Sequence, residues 1–155
     1  MDPIEINIAS ADADPILVDH YMAIWDSYGT PAAAYSADAA KTVKAFIAEG
    51  RQKFELVVVV AKVGEHIVGS AAGQVRVAPF PIVTQPAYRK TGYIWSVFVE
   101  PSARRRGIAA MLVERLVAEL SAIGCFRVLL HPSEAAESVY RKLGFQNSNE
   151  MRLDL

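Results

Sequence analysis

The sequence predicts an α/β (α+β) fold, with a central mixed, mostly antiparallel sheet of about six or seven strands carrying about four helices. Three observations carry that expectation. Two apolar runs, 54–61 and 66–77, flank a turn at Gly64 and read as an antiparallel hairpin. The stretch from 93 to 131 reads strand, arginine-rich turn, helix, strand; a crossover of that kind makes the strands at 93–99 and 126–131 a parallel pair. Between them Ala109, Val113, Leu116, Leu120 and Ile123 recur at the spacing of one helix face.

Taken in chain order, residues 4–9 (IEINIA) alternate as a strand. Asp12, Asp14 and Pro15 announce a helix whose apolar and aromatic positions include Ile16, Leu17, Tyr21, Ile24, Trp25 and Tyr28, and Gly29 and Pro31 end it. Residues 36–50 form a second helix, capped by Ser36 or Asp38 and stopped by Gly50. The hairpin follows, then a loop over 78–92 that holds three prolines and is too long for a mere connection. YIWSVFV (93–99) is a strand, 107–123 a helix closed by Gly124, and FRVLLH (126–131) a strand. Ser133 caps a short helix in which Ala136, Val139, Tyr140 and Leu143 share a face and Gly144 lies just past the end. NEMRLDL (149–155) supplies a last strand, with Met151, Leu153 and Leu155 alternating.

Composition narrows the function classes. At 155 residues one domain over 1–155 is expected, burying roughly 70% of the unfolded surface. Hydrophobic residues at 52% and charged residues at 21% exclude a disordered chain. A formal net charge of −1 disfavours a nucleic-acid binder, although Arg104 to Arg106 with Arg89 and Lys90 leave that reading as the weakest of three. A lone cysteine, Cys125, rules out an intrachain disulfide framework and favours a reducing compartment. The N-terminus lacks a basic start followed by an apolar stretch, and the longest apolar run, 56–61, is too short for a bilayer. A cytoplasmic protein without membrane or metal is the expectation, and a homodimer stays open as its assembly.

The segment EPSARRRGIAAMLVERL (100–116) packs Arg104, Arg105 and Arg106 before Gly107 at a helix start. The first amides of a helix lack intrahelical partners, and the helix dipole adds roughly half a positive charge there, so a phosphate finds donors and field together. Gly107 and the small Ala109 leave the backbone approachable. Taken alone, the turn fits a solvated helix start equally well.

The run VFVEPSARRRGIA resembles the acyl-CoA-binding signature of the GNAT N-acyltransferase superfamily, an Arg or Gln, two residues, Gly, one residue, then Gly or Ala; here Arg104, Gly107 and Ala109. About thirty residues on, SEAAESVYRKLGFQ resembles a second family segment through Tyr140, Leu143, Gly144 and Phe145. Two motifs in the right order are far more specific than either alone, and the element order agrees from first strand to last. The resemblance implies a GNAT-like domain that uses acetyl-CoA and releases CoA. It implies that Val97, Phe98 and Val99 run along pantetheine, and that a bulge in their strand exposes an amide toward the thioester carbonyl. It also implies that the amides of Arg105, Arg106, Gly107, Ile108 and Ala109 wrap the pyrophosphate with arginine side chains nearby. Where many members carry Asn at the start of the next helix this chain has Ser133, which still donates and accepts a hydrogen bond.

The chemistry implied is attack of a primary amine, of a small molecule or a peptide, on the thioester. Tyr140 is the candidate acid for the leaving thiolate; without the motif it would read as a core residue beside Val139 and Leu143. The base is open. Some members carry a glutamate early in the pantetheine-facing strand, near Tyr93 here; Glu100 lies beside the phosphate turn, where it is misplaced; His131 ends the parallel strand and competes with a proton path through ordered water. Trp25, Tyr28, Tyr35, Tyr93, Trp95 and His131 are the candidates for the acceptor side, with Asp26, Asp38 and Glu55 as scattered acids. An acyl-CoA-binding sensor without turnover is the second reading, motivated by the missing strand glutamate.

Overall fold

A computed structural model describes residues 2–155. Five strands, β1 (Ile4–Ile8), β2 (Val57–Val63), β3 (His66–Val75), β4 (Thr91–Val99) and β5 (Arg127–Leu130), form one sheet in sequence order. The pairs β1–β2, β2–β3 and β3–β4 are antiparallel, and β4–β5 is parallel through Thr91–Ile94 against Arg127–Leu130. Four helices accompany them: α1 (Asp14–Ser27), α2 (Ala39–Lys53), α3 (Ile108–Ala122) and α4 (Glu137–Lys142).

Six or seven strands are thus too many. The tail at 149–155 pairs with no strand among the described residues, and Met151 and Leu153 are 95% and 83% exposed. Alternation reports a face to bury and carries no information on whether the chain there pairs with a neighbouring strand.

The sheet is covered on both faces. Val59, Ala61, Ala71 and Ile94 meet Ile108, Leu112, Val113, Leu116 and Leu120 of α3, while Val58, Val60 and Ala72 meet Leu17 of α1 with Val43 and Ile47 of α2. The buried stripe of α3 therefore runs through Ile108 and Leu112 rather than Ala109, which is only half-buried. That helix lies close on the sheet because Gly73 and Gly92 sit beneath it; a Cβ at either would come within 3.2 and 3.1 Å of Leu120 Cδ1.

Two further boundaries differ from expectation. Gly50 does not stop α2, which runs on to Lys53; Glu55 instead takes the left-handed conformation at φ 51° that ends it. Gly50 is buried within the helix, where a side chain would strike Gln74 Oε1. Neither Asp38 nor Ser133, although each stands at an N-cap, makes a side-chain capping bond.

The end of α4 explains the spacing of Tyr140, Leu143, Gly144 and Phe145. Gly144 takes φ 89°, its N–H donates to Arg141 O at 3.0 Å, and the Phe145 N–H donates to Tyr140 O at 3.0 Å. This is the Schellman pairing, whose left-handed position favours glycine and whose flanking residues meet. Phe145 accordingly packs edge-on against the Tyr140 ring, centroids 5.8 Å apart.

Candidate active site

The site begins where β4 leaves β5. Opposite Ala72 and Gly73 the register of β4 slips by one residue, so that Trp95 is extra and the strand bulges. Beyond Ile94 no strand among the described residues pairs with β4 on the β5 side. Glu100 donates its N–H to Val68 O at 2.8 Å, on the β3 side. Backbone alternation then turns the N–H and C=O of Val97 and Val99 to the vacated side, where Arg104 Nε reaches the Val99 carbonyl at 3.0 Å. Val97, Phe98 and Val99 are all half-buried along this edge.

The arginine turn lies at the far end of that edge. Ala103 and Ile108 are buried and anchor it, while Arg104, Arg105 and Gly107 are exposed. Arg105 (φ 63°) and Gly107 (φ 76°) both take left-handed conformations, and no N–H from Arg105 through Ala110 meets a main-chain or side-chain acceptor among the described residues. A Cβ at Gly107 would meet nothing of the protein within 4 Å, so the space over these amides is open. The three arginines are not equivalent: Arg104 is tied to Val99 and Arg106 donates to Asp2 O at 3.2 Å, which leaves the Arg105 guanidinium without a partner among the described residues. Ile108 contributes only its amide, because its side chain is buried under the sheet.

At the bulge end the edge opens into a cleft of about 350 Å³. It brings together Trp25 and Tyr28 from α1, Tyr93, Trp95 and Val97 from β4, His131 just past β5, Ser133, and Tyr140 from α4. Phe98, Val99 and the arginines lie outside it. Tyr140 is buried, its hydroxyl has no hydrogen-bond partner among the described residues, and burial, with Tyr28 nearby, pushes its pKa up to about 12. Trp95 is held edge-on by Tyr21 and Phe46, and its buried Nε1 is unpartnered.

Sequence reasoning did not single out Tyr21, Ile24 or Leu130 for this cleft, nor Glu150, which accepts from or pairs with His131 Nε2 at 2.9 Å. No local pattern marks that partner, because it stands in the tail that alternation assigned to a strand. Tyr35, Asp26, Asp38 and Glu55 are not part of the cleft. Tyr35 Oη donates to Asp26 at 2.7 Å, and Glu55 pairs with Lys90 at 2.5 Å. Lys90 also donates to Ile123 O, and Arg89 donates to Thr84 O.

Comparison with known proteins agrees with this architecture. The model of the acetyltransferase (GNAT) family matches residues 17–145. Glucosamine 6-phosphate N-acetyltransferase of Trypanosoma brucei brucei is 36% identical over 95 residues, 58% of this chain and 58% of that protein, so the match spans a little over half of the relative. A GCN5-related N-acetyltransferase from Ralstonia eutropha superposes with a TM-score of 0.84 at 24% identity, covering 99% of each chain. A predicted acetyltransferase with acetyl-CoA from Clostridium acetobutylicum does so with a TM-score of 0.81 at 25% identity, covering 99% of this chain and 96% of that one.

Proposed function

The chain belongs to the GNAT acetyltransferase family, and from that premise we propose that it moves an acetyl group from acetyl-CoA to a primary amine. One observation carries the reading: the unpaired edge of β4 runs from a turn of unpartnered amides to a cleft that holds the Tyr140 hydroxyl. The fit to acetyl-CoA is one of donors to acceptors. The amides from Arg105 to Ala109 and the Arg105 guanidinium suit a pyrophosphate, and Val97 and Val99 offer main-chain partners to the amides of pantetheine. When bound, acetyl-CoA supplies an acetyl group already activated as a thioester.

The chain's own residues then have three tasks. The arginine turn and the β4 edge hold and orient. Tyr140 keeps its proton at Oη throughout the working pH range, since its pKa of about 12 stands well above neutrality. Giving that proton up entirely to a thiolate of ordinary pKa, about 8.5, would be uphill by about 3.5 pKa units, or roughly 5 kcal/mol. Its role is therefore to donate a hydrogen bond to the sulfur as charge collects there, with transfer completed only as that sulfur is itself desolvated. The third task is removing a proton from the acceptor.

The cleft also says what kind of acceptor it suits. No Lys, Arg, Asp or Glu lines it among the described residues, and the aromatic side chains of Trp25, Tyr28, Tyr93 and Trp95 do. Aromatic faces attract an ammonium, whereas a phosphate would find no cation there. We read the acceptor as a primary amine on an otherwise uncharged framework, of a small molecule or a peptide end. A single domain in the cytoplasm completes the reading, supported by the buried thiol of Cys125; among the described residues no helix is long and apolar enough to cross a membrane.

The test is a thermal-shift titration followed by thiol release. Acetyl-CoA at a hundred times its dissociation constant should stabilise the protein by about 2.7 kcal/mol, and CoA release should be fastest with aromatic and aliphatic amines and slowest with sugar phosphates. No thermal shift would overturn the reading. A shift with no thiol release from any amine would make the chain an acyl-CoA sensor, the reading that the absence of a glutamate at Tyr93 favours.

A further inference from the structure

We propose that Tyr93, His131 and Glu150 form a proton relay that takes the ammonium proton from the acceptor, supplying the base that this strand lacks as a glutamate; this rests on the acetyl-transfer reading above. The three come from separate parts of the chain. Tyr93 stands on β4 two residues before the bulge, opposite Leu129, and His131 lies two residues beyond Leu129 at the open end of the parallel ladder. Tyr93 Oη is hydrogen-bonded to His131 Nδ1, and His131 Nε2 lies 2.9 Å from Glu150 Oε1. Tyr93 and His131 line the cleft with Tyr140, while Glu150 stands behind the imidazole and outside that cleft.

The chemistry of the donors fixes the direction of the relay. An ionised carboxylate only accepts, so Glu150 requires the proton of a neutral imidazole to sit on Nε2. Nδ1 is then a lone pair, and the Tyr93 O–H donates to it. The remaining Tyr93 lone pair is available to an ammonium in the cleft. In the step, the ammonium N–H bond breaks and its proton joins Tyr93 Oη, as the Tyr93 O–H proton passes to Nδ1. The result is a neutral amine with a free lone pair and an imidazolium held against the Glu150 carboxylate, with no net change at Tyr93.

Tyr93 alone does not suffice. Burial first, then the Glu150 charge, push its phenol above 10, so free phenolate is scarce at neutral pH, whereas imidazole is the side chain whose intrinsic titration falls in the physiological range. The neighbouring charges are accounted for. The Arg76 guanidinium lies over the Tyr93 ring at 5.9 Å, Tyr21 and Tyr140 face the cleft from α1 and α4, and Arg141 is bound to Glu137 at 2.5 Å. None of these substitutes for the carboxylate at Nε2.

The experiment has two arms on the full chain. In the first, the pH dependence of kcat/KM is measured with the best amine. The wild type should lose activity as the pH falls and His131 gains its proton. His131→Gln and Tyr93→Phe should each lower kcat/KM on the order of a hundredfold, and the double variant should lose little more than either alone, since both interrupt one path. Glu150→Gln should lower kcat/KM while the acetyl-CoA dissociation constant and the melting temperature stay unchanged. Wild-type turnover with His131→Gln keeping its rate within twofold and its acid limb unmoved would overturn the relay. Thiol release from no amine at all would instead overturn the acetyl-transfer reading. In the second arm, nitrogen-15 NMR of the histidines is recorded without acetyl-CoA or amine. The relay requires the Nε2–H tautomer of neutral His131 in the wild type; the Nδ1–H tautomer would overturn it.

Discussion

Replacing Tyr140 with Phe removes one oxygen and keeps the ring, which makes it the sharpest probe of the leaving-group side. The ring is buried and packs edge-on against Phe145 at 5.8 Å, while the hydroxyl has no protein partner among the described residues, so the melting temperature should change little. A hydrogen bond to a group that becomes charged contributes about 1.5–3 kcal/mol. Since about 1.36 kcal/mol is tenfold in rate, kcat should fall roughly 10- to 150-fold, with the acetyl-CoA dissociation constant nearly unchanged. The pKa of about 12 adds a second signature, because the wild type should then show no alkaline loss of activity from this group below about pH 10. Steady-state kinetics across pH 6 to 10, with melting curves as controls, would check both. Unchanged kcat, or a loss confined to KM, would remove the hydroxyl from the chemistry.

Two more outcomes follow from the same geometry. Gly107→Leu should weaken acetyl-CoA binding more than Ala at Arg104, Arg105 or Arg106, because the open amides are what the side chain would cover; calorimetric titration giving comparable losses would mean that the guanidinium groups dominate. His20 is buried with Nδ1 2.8 Å from Ser70 Oγ, and burial lowers its pKa from 6.5 against the opposing pull of Glu100 and Asp19. A folded-state pKa below the unfolded one means that the unfolded chain binds the proton more readily. The stability due to neutral His20 is therefore full above about pH 6.5 and is lost as the pH falls through the folded value. Denaturant midpoints should decline from pH 6.5 downward, and less so in His20→Gln; parallel slopes would show that the decline belongs to other groups.

What could be read in the sequence was what short-range chemistry dictates. The Tyr140–Phe145 spacing is a helix ending in a left-handed glycine, and the arginine turn is a helix start between parallel strands; both need only neighbours within a few residues. The strand count failed at 149–155 because alternation says nothing about whether an edge is near, and Gly50 misled because its partner, Gln74, is remote in sequence. The cleft was half legible. Trp25, Tyr28, Tyr93, Trp95 and His131 do converge, but the bulge that aims Trp95 depends on the register between β3 and β4, which no single strand records. The Glu150 contact was illegible for the same reason: it is a meeting of two ends of the chain's surface path, decided by tertiary structure alone.

The parting of β4 from β5 has a consequence for how such a chain avoids its own kind. An unpaired strand edge is the surface on which sheets recruit strands from other molecules and polymerise. Here that edge fronts the cleft, with α1 packed against β4 and Tyr140 of α4 in the cleft lining. A hazard common to all sheets thereby stands at the mouth of the site. From Trp95 onward β4 keeps main-chain groups free on the side that β5 has left, the groups an extended amide chain can pair with.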